Sequence, residues 1–175
     1  MRPFLLPVLP MPNPFRMLSF SCLSALSEQA RQSPRHRANA NLHPLLADPV
    51  QRLAIAMEPA TYVRVHRHPQ TWELLTPLRG RFVVLHFDAA GVVTARTVLG
   101  EDTAVLETPA SGWHAVLSLD AGGVIFEVKQ GPYQPVTAAD YAPWSPAEDD
   151  AAMVRQVMAW YVTAQVGDVL PGAVA

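Results

Sequence analysis

The sequence predicts an all-β domain, a jelly-roll barrel of two packed sheets, with a helix before it and a helix after it. From Arg52 to Lys129 the chain breaks into eight short runs of strand character: RLAIAME, TYVRVH, WELLTPL, RFVVLHFD, VVTARTVL, TAVLE, WHAVLSL and VIFEVK. Turn-forming groups at EPA, RG, DAAG, LGED, PASG and DAGG separate them with the regular punctuation of a sandwich or barrel. Apolar residues at helical spacing flank this region on both sides.

Taken in order, residues 1–16 read as a flexible or extended arm. Five prolines by position 14, with Asn13 and Arg16, interrupt its apolar run well short of the about 18 residues that a membrane helix needs. Arg2 before FLLPVLPM imitates a secretory leader, SFSC imitates a lipoprotein cleavage site, and Met17 is an alternative start. Residues 17–50 are expected to form a helix and an ordered loop packed on the barrel. The helix runs from Met17 to about Arg31, with Leu18, Cys22, Leu26 and Ala30 on one stripe, and Pro34 stops it. The loop is SPRHRANANLHPLLADPV, rich in Pro, Asn and Arg.

The barrel occupies residues 51–130, and residues 131–175 form a C-terminal loop and helix. GPYQPVTAADYAPWSP is the proline-punctuated loop, and Ser145 or Asp149 caps the helix that follows. Met153, Val157, Trp160, Tyr161 and Ala164 make its apolar stripe, and the tail from Gly167 is expected to be loose.

Composition narrows the function classes. Half of the 175 residues are apolar and 16% are charged, below the roughly 25% usual for soluble domains, so some surface is expected to be buried in a homodimer. A formal net charge of -2 provides no basic field for nucleic acid phosphates. Cys22 is the single cysteine, which excludes an internal disulfide and suits a reducing cytoplasm.

The chemistry lies in HRHPQTWELLTPLRG. On a strand, side chains two apart share a face, so His66 and His68 can grip one ion. Glu73 follows a turn-like PQT stretch that returns a carboxylate toward them, and Gly80 permits the tight turn into the next strand. His114, in TPASGWHAVLS, is the fourth candidate ligand. Three imidazoles and a carboxylate are the ligand set of a divalent transition metal, with Fe, Mn, Ni, Co or Zn all suited. Four protein ligands on a six-coordinate ion leave two positions open to water, dioxygen or substrate.

Read as HxHx4Ex6G followed by PxxGxH, these residues resemble the two-part signature of the cupin superfamily. The second half departs slightly: Gly112 stands one place later than usual between Pro109 and His114, and Ser118 stands where many cupins carry asparagine. Three longer segments, SPRHRANANLHPLLADPVQRLAIAMEPATYVRVHRHP, WELLTPLRGRFVVLHFD and FEVKQGPYQPVTAADYAPWSPAE, are similar to the WbuC family of cupin-fold metalloproteins from about Ser33 to Glu148. That resemblance implies a bacterial single-domain cupin with a metal, associated with surface polysaccharide (O-antigen, lipopolysaccharide) biosynthesis, and it brings no substrate.

Further candidates surround the motif. If parity holds along TYVRVH, Arg64 and Tyr62 share the face of His66 and His68, and Arg64 is either a fork for a substrate carboxylate or phosphate or a structural ion pair. Arg35, Arg37, Asn39, Asn41 and His43 either fold over the barrel mouth as ligand contacts or satisfy turn backbone; Arg37, Asn39 and His43 join the substrate-binding candidates. His86 has opposite parity to Val83, Leu85 and Phe87 and is a poor ligand candidate, and Glu127 with Lys129, which share a strand face, is either a cross-pocket acid or base or, as the expected reading, a solvent-facing pair. Tyr133, Asp140, Tyr141 and Trp144 either line the mouth or anchor the loop by packing.

Two functions follow: a metal-dependent isomerase, epimerase or oxygenase acting on a sugar-derived or carboxylate small molecule, or a non-catalytic module that senses or binds a small ligand through its metal. No membrane partner is expected.

Overall fold

The computed structural model describes residues 15–173. Nearly all of the arm expected over 1–16 lies outside the described residues. Helix α1 (Phe20–Gln32) is followed by strands β1 (Arg37–Asn41), β2 (Val50–Met57), β3 (Glu73–Arg79), β4 (Phe82–Phe87), β5 (Val93–Leu99), β6 (Leu106–Thr108), β7 (Trp113–Ser118) and β8 (Gly123–Gln130), and then by helix α2 (Ala151–Thr163). All strand pairs are antiparallel, in a five-stranded sheet ordered β1-β2-β8-β3-β6 and a three-stranded sheet ordered β5-β4-β7. Two antiparallel sheets enclosing an apolar interior form a double-sheet jelly-roll barrel.

Three apolar layers hold the barrel between the helices. Between the sheets, Met57, Leu75, Phe82, Val84, Leu99 and Ile125 fill the interior. Val83, Leu85 and Phe87 point the other way from β4 and pack beneath α2, against Val157 and Tyr161. Leu23, Leu26 and Ala30 of α1 cover Ala54, Ala56 and Val124 on the outer face of the large sheet. The small alanines let the helix sit close, and each fully buried leucine contributes about 1.5–3 kcal/mol relative to exposure.

Local signals set the element ends. The Ser19 side chain caps α1 by accepting from the Cys22 N–H at 3.2 Å. Pro77 stays within β3 because β6 pairs only Glu73–Leu75, so no neighbouring carbonyl on that side needs a donor at Pro77. Gly80 turns β3 into β4 with φ 73°, and a Cβ there would lie 3.3 Å from both Asp120 Cβ and Gly123 Cα.

The structure corrects several expectations. The segment read as loop contains β1, whose Ala38 and Ala40 pack toward α1 while Arg37, Asn39 and Asn41 alternate onto the other face. Its Arg, Asn and Ala residues have little β propensity, which hid the period of two. TYVRVH forms no ladder: it is extended, with an isolated bridge at His66 to His114 on one side and to Tyr141 on the other. Asp150, rather than Ser145 or Asp149, caps α2, accepting from the Met153 N–H at 3.1 Å. Cys22 is exposed, so the buried α1 stripe is carried by Leu23, Leu26 and Ala30. The tail is pinned rather than loose: Val93 N–H donates to the Asp168 carbonyl at 2.8 Å, Gly167 N–H donates to the Val93 carbonyl at 2.9 Å, and Leu170 is buried.

Candidate metal centre

His66, His68, Glu73 and His114 come from three parts of the fold and meet between the sheets. His114 lies on β7, directly opposite His86 of β4. His66 joins that small sheet through its bridge to His114, and the Pro109–Gly112 turn secures the next residues: Ser111 N–H donates to the His68 carbonyl at 2.8 Å, and its hydroxyl donates to the Pro69 carbonyl at 3.2 Å. Glu73 opens β3 in the facing sheet, paired with Lys129 and Thr108. The signature is therefore split across the sandwich, with two imidazoles anchored to one wall and the carboxylate presented by the other.

One ligand atom from each of His66, His68 and His114 lies within 4.8 Å of the others, so one ion can reach all three. His68 Nε2 is 2.9 Å from Glu73 Oε2, and His114 Nε2 is 3.9 Å from the same oxygen. Two ligands bound at right angles about 2.1 Å from one ion stand about 3 Å apart, so the His68–Glu73 spacing suits a shared ion. His66 Nδ1 and His114 Nδ1 each lie 2.9 Å from a backbone carbonyl, of Arg64 and Gly112 respectively. Those carbonyls hold the proton on Nδ1 and leave Nε2 with a free lone pair. His114 Nε2 is buried without a hydrogen-bond partner among the described residues. An orphaned buried nitrogen costs about 1–3 kcal/mol, and coordination removes that cost. The donor set fits a divalent transition metal.

The electrostatics keep His66, His114 and Glu73 deprotonated. Burial, reinforced by the charge on His114, lowers the His66 pKa to about 3, and burial likewise pushes His114 below the usual imidazole range. Burial works against the Glu73 carboxylate, but the His68 hydrogen bond and the His114 and Lys129 charges outweigh it and hold the carboxyl well below the usual range.

The remaining sequence candidates divide. Arg37 reaches an inner cavity of about 200 Å³ that is also bordered by His66, His68 and Glu73. Asn39 shares the Arg37 face of β1 but is exposed, its amide donating to Asn41 Oδ1 at 2.9 Å. His43 is buried away from that cavity, where Nδ1 accepts from the Arg52 N–H at 2.9 Å. Arg64 and Tyr62 do not join the cluster. Arg64 stacks 5.0 Å above the Tyr141 ring and donates to the Ala142 carbonyl, while Tyr62 donates to the Pro146 carbonyl at 2.9 Å and stacks on Tyr161. Val63 packs in the barrel interior and Val65 packs beneath α2, so the alternation slips before His66. That slip turns Arg64 away from the cavity.

Three residues passed over in the sequence belong to the barrel interior. His86 lies beside His114, ring centroids 6.3 Å apart, with Nε2 2.9 Å from Thr108 Oγ1, and burial lowers its pKa to about 4. Glu127 and Lys129, expected to face solvent, form an ion pair of 2.6 Å on the inner cavity wall. Their alternation with Phe126 and Val128 was visible, but only the cover of α1 over Phe126 reveals which face is inside.

Tyr133 borders both the inner cavity and an outer one of about 410 Å³, where Asp140 also lies; His68 and Lys129 likewise border both. Trp144 anchors its loop, donating to the Ala89 carbonyl at 2.9 Å.

The comparisons with known proteins agree with the fold and leave the activity open. A family model described as a domain of unknown function, DUF6016, matches residues 18–99, just under half of the chain. No curated protein matches. Among solved structures, CapF in complex with 3-isopropenyl-tropolone is 14% identical with a TM-score of 0.50, over 59% of this chain and 30% of that one. A cupin 2 domain-containing protein from Halorhodospira halophila is 14% identical with a TM-score of 0.48, over 75% and 85% of the two chains. KdgF from Halomonas sp. is 14% identical with a TM-score of 0.45, over 58% and 84%. No helix among the described residues is long and apolar enough to cross a membrane.

Proposed function

We propose that the protein is a cupin metalloenzyme in which His66, His68, Glu73 and His114 hold one divalent transition metal and present it to a small sugar-derived or carboxylate substrate in the inner cavity. The observation that carries this reading is His114 Nε2, buried and unpartnered beside two imidazoles and a carboxylate that themselves border a cavity large enough for a small ligand.

When bound, the ion supplies Lewis-acid polarisation of a coordinated oxygen and, if redox-active, access to dioxygen chemistry. The chain supplies the rest. The Arg64 and Gly112 carbonyls orient two of the imidazoles. Ile55, Leu75, Val116 and Ile125 keep the cavity floor apolar and limit water. Burial and the neighbouring Glu73 raise the Glu127 carboxyl above its usual range, and with Lys129 Nζ 2.6 Å away it offers a proton-transfer group on the cavity wall. Isomerisation or epimerisation uses that group directly, and oxygenation uses it to manage protons.

The link to surface polysaccharide biosynthesis rests on the resemblance to the WbuC family. A cytoplasmic homodimer is the proposed setting, supported by the low charged fraction and by exposed Leu45, Leu46 and Val50 near the β1 edge of the large sheet. The test is turnover: metal-replete protein is incubated aerobically and anaerobically with sugar acids, hydroxy acids and sugar phosphates, with His114→Ala as control. Metal-dependent conversion supports an enzyme, whereas binding without conversion of any of them would overturn it in favour of a sensing module.

A further inference from the structure

Arg37 is the cation of the inner cavity without a counter-ion. Of the charged groups that line this space, Lys129 is paired with Glu127 at 2.6 Å, and Glu73 faces His68 at 2.9 Å. The Arg37 guanidinium has no hydrogen bond or ion pair among the described residues. Glu148, whose charge is felt at Arg37, is paired with Arg35. Burial pushes the Arg37 pKa below its ordinary value, with repulsion from Arg35 adding to it, so the charge is held at a cost.

Its placement is built into the backbone. The Ser33 hydroxyl donates to the Arg37 carbonyl at 2.9 Å and accepts from the Arg37 N–H at 3.2 Å. Ala38 and Ala40 pack toward α1, which fixes Arg37 on the opposite face of β1, next to Met57 at the cavity wall. The two cations and two carboxylates of the cavity cancel, so with the imidazoles neutral, as ligands must be, a divalent ion leaves the site with two excess positive charges. A low-dielectric pocket with that charge favours anions.

We infer that the cavity takes an anionic small molecule of the carboxylate class, one oxygen group directed to the metal and an anionic group bound by Arg37, so that metal and anion strengthen each other's binding. This rests on the metal reading above and narrows its ligand to an anion. A cavity of about 200 Å³ holds one such molecule, so both groups act on the same ligand. The guanidinium fork matches a carboxylate through two parallel hydrogen bonds, which a lysine cannot reproduce.

The test uses the full chain loaded with Co(II), whose visible spectrum reports the ligand sphere, titrated with malonate and with the uncharged analogue malonamide. Malonate is expected to bind the Co(II)-loaded protein and to bind about tenfold to a hundredfold more weakly to Arg37→Gln, with Arg37→Lys in between and Co(II) binding retained in both. Malonamide and the metal-free protein should show weak binding at most. Circular dichroism checks that the variants keep the fold. Equal malonate affinity in the wild type and Arg37→Gln, equal binding of malonamide, or no malonate binding to the Co(II) form would overturn the anion inference alone. Failure of Co(II) to bind would overturn the metal reading, and the coupling with it.

Discussion

His66 and His114 exchange both of their backbone hydrogen bonds, His66 N–H to the His114 carbonyl at 3.0 Å and His114 N–H to the His66 carbonyl at 2.9 Å. Their rings lie 4.5 Å apart, so residues 48 positions apart in sequence are held as neighbours by main chain rather than by side-chain packing. The other side of His66 is tied as firmly: Arg67 N–H donates to the Asp140 carbonyl and Ala142 N–H donates to the Val65 carbonyl. The ligand pair is thus part of the small sheet, and its geometry does not depend on the metal to exist.

Removing the metal should therefore leave the barrel folded. Chelator-treated protein is expected to keep its far-ultraviolet circular dichroism and to lose only the stabilisation that ligand binding adds through mass action. His114→Ala should abolish tight metal binding and still yield a folded protein. Unfolding on chelation would make the metal structural.

Arg64 distinguishes the structure from simple strand parity. Arg64→Ala should leave metal affinity unchanged and cost about 1 kcal/mol of stability, through the lost contact with Tyr141 and the bond to the Ala142 carbonyl. A large loss of metal or anion affinity in this variant would place its side chain in the cavity after all. Urea unfolding and Co(II) titration on one preparation read both quantities.

Much of the fold is legible in the sequence because turns punctuate it: seven of the eight observed strands fall within the runs bounded by EPA, RG, DAAG, LGED, PASG and DAGG or at their edges. Orientation is less legible. In β4 both faces are apolar, since Phe82 and Val84 enter the barrel while Val83, Leu85 and Phe87 pack under α2. Alternation there cannot tell inside from outside, so the parity of His86 does not reveal that it lies beside His114. Arg64 was misplaced by a slip of one residue that no side chain announces. The HxH pair is less exposed to both problems because His66 and His68 are two residues apart, whereas Glu73 and His114 reach them only through the pairing of distant segments.

The buried histidines predict how the metal-free protein responds to acid. His66 and His86 have folded pKa values near 3 and 4 against an unperturbed 6.5, so below pH 6.5 the unfolded chain binds more protons than the folded one. Their contribution is fully present above pH 6.5 and is lost as pH falls through 4 toward 3; the depressed Glu73 carboxyl acts in the same direction below about 4.5. The thermal midpoint of metal-free protein should fall between pH 7 and pH 4, and His86→Gln should flatten that slope. A midpoint independent of pH over this range would contradict neutral burial of these rings.

Gly80→Ala should destabilise the fold by about 1–2 kcal/mol, because alanine resists φ 73° and its Cβ would meet Asp120 and Gly123 at 3.3 Å. Metal affinity should be retained, since the turn lies at the far end of β3 from Glu73. Denaturant midpoints measure the first effect and Co(II) titration the second; wild-type stability in the variant would contradict the turn assignment.

The most direct measurement is the metal content of full-length protein purified without an affinity tag and without chelator, by elemental analysis, beside His114→Ala prepared in the same way. Close to one divalent transition metal per chain is expected in the wild type, and only a trace in the variant. A wild-type content of a small fraction of one metal per chain, or equal content in the two proteins, would contradict a metal held by His66, His68, Glu73 and His114.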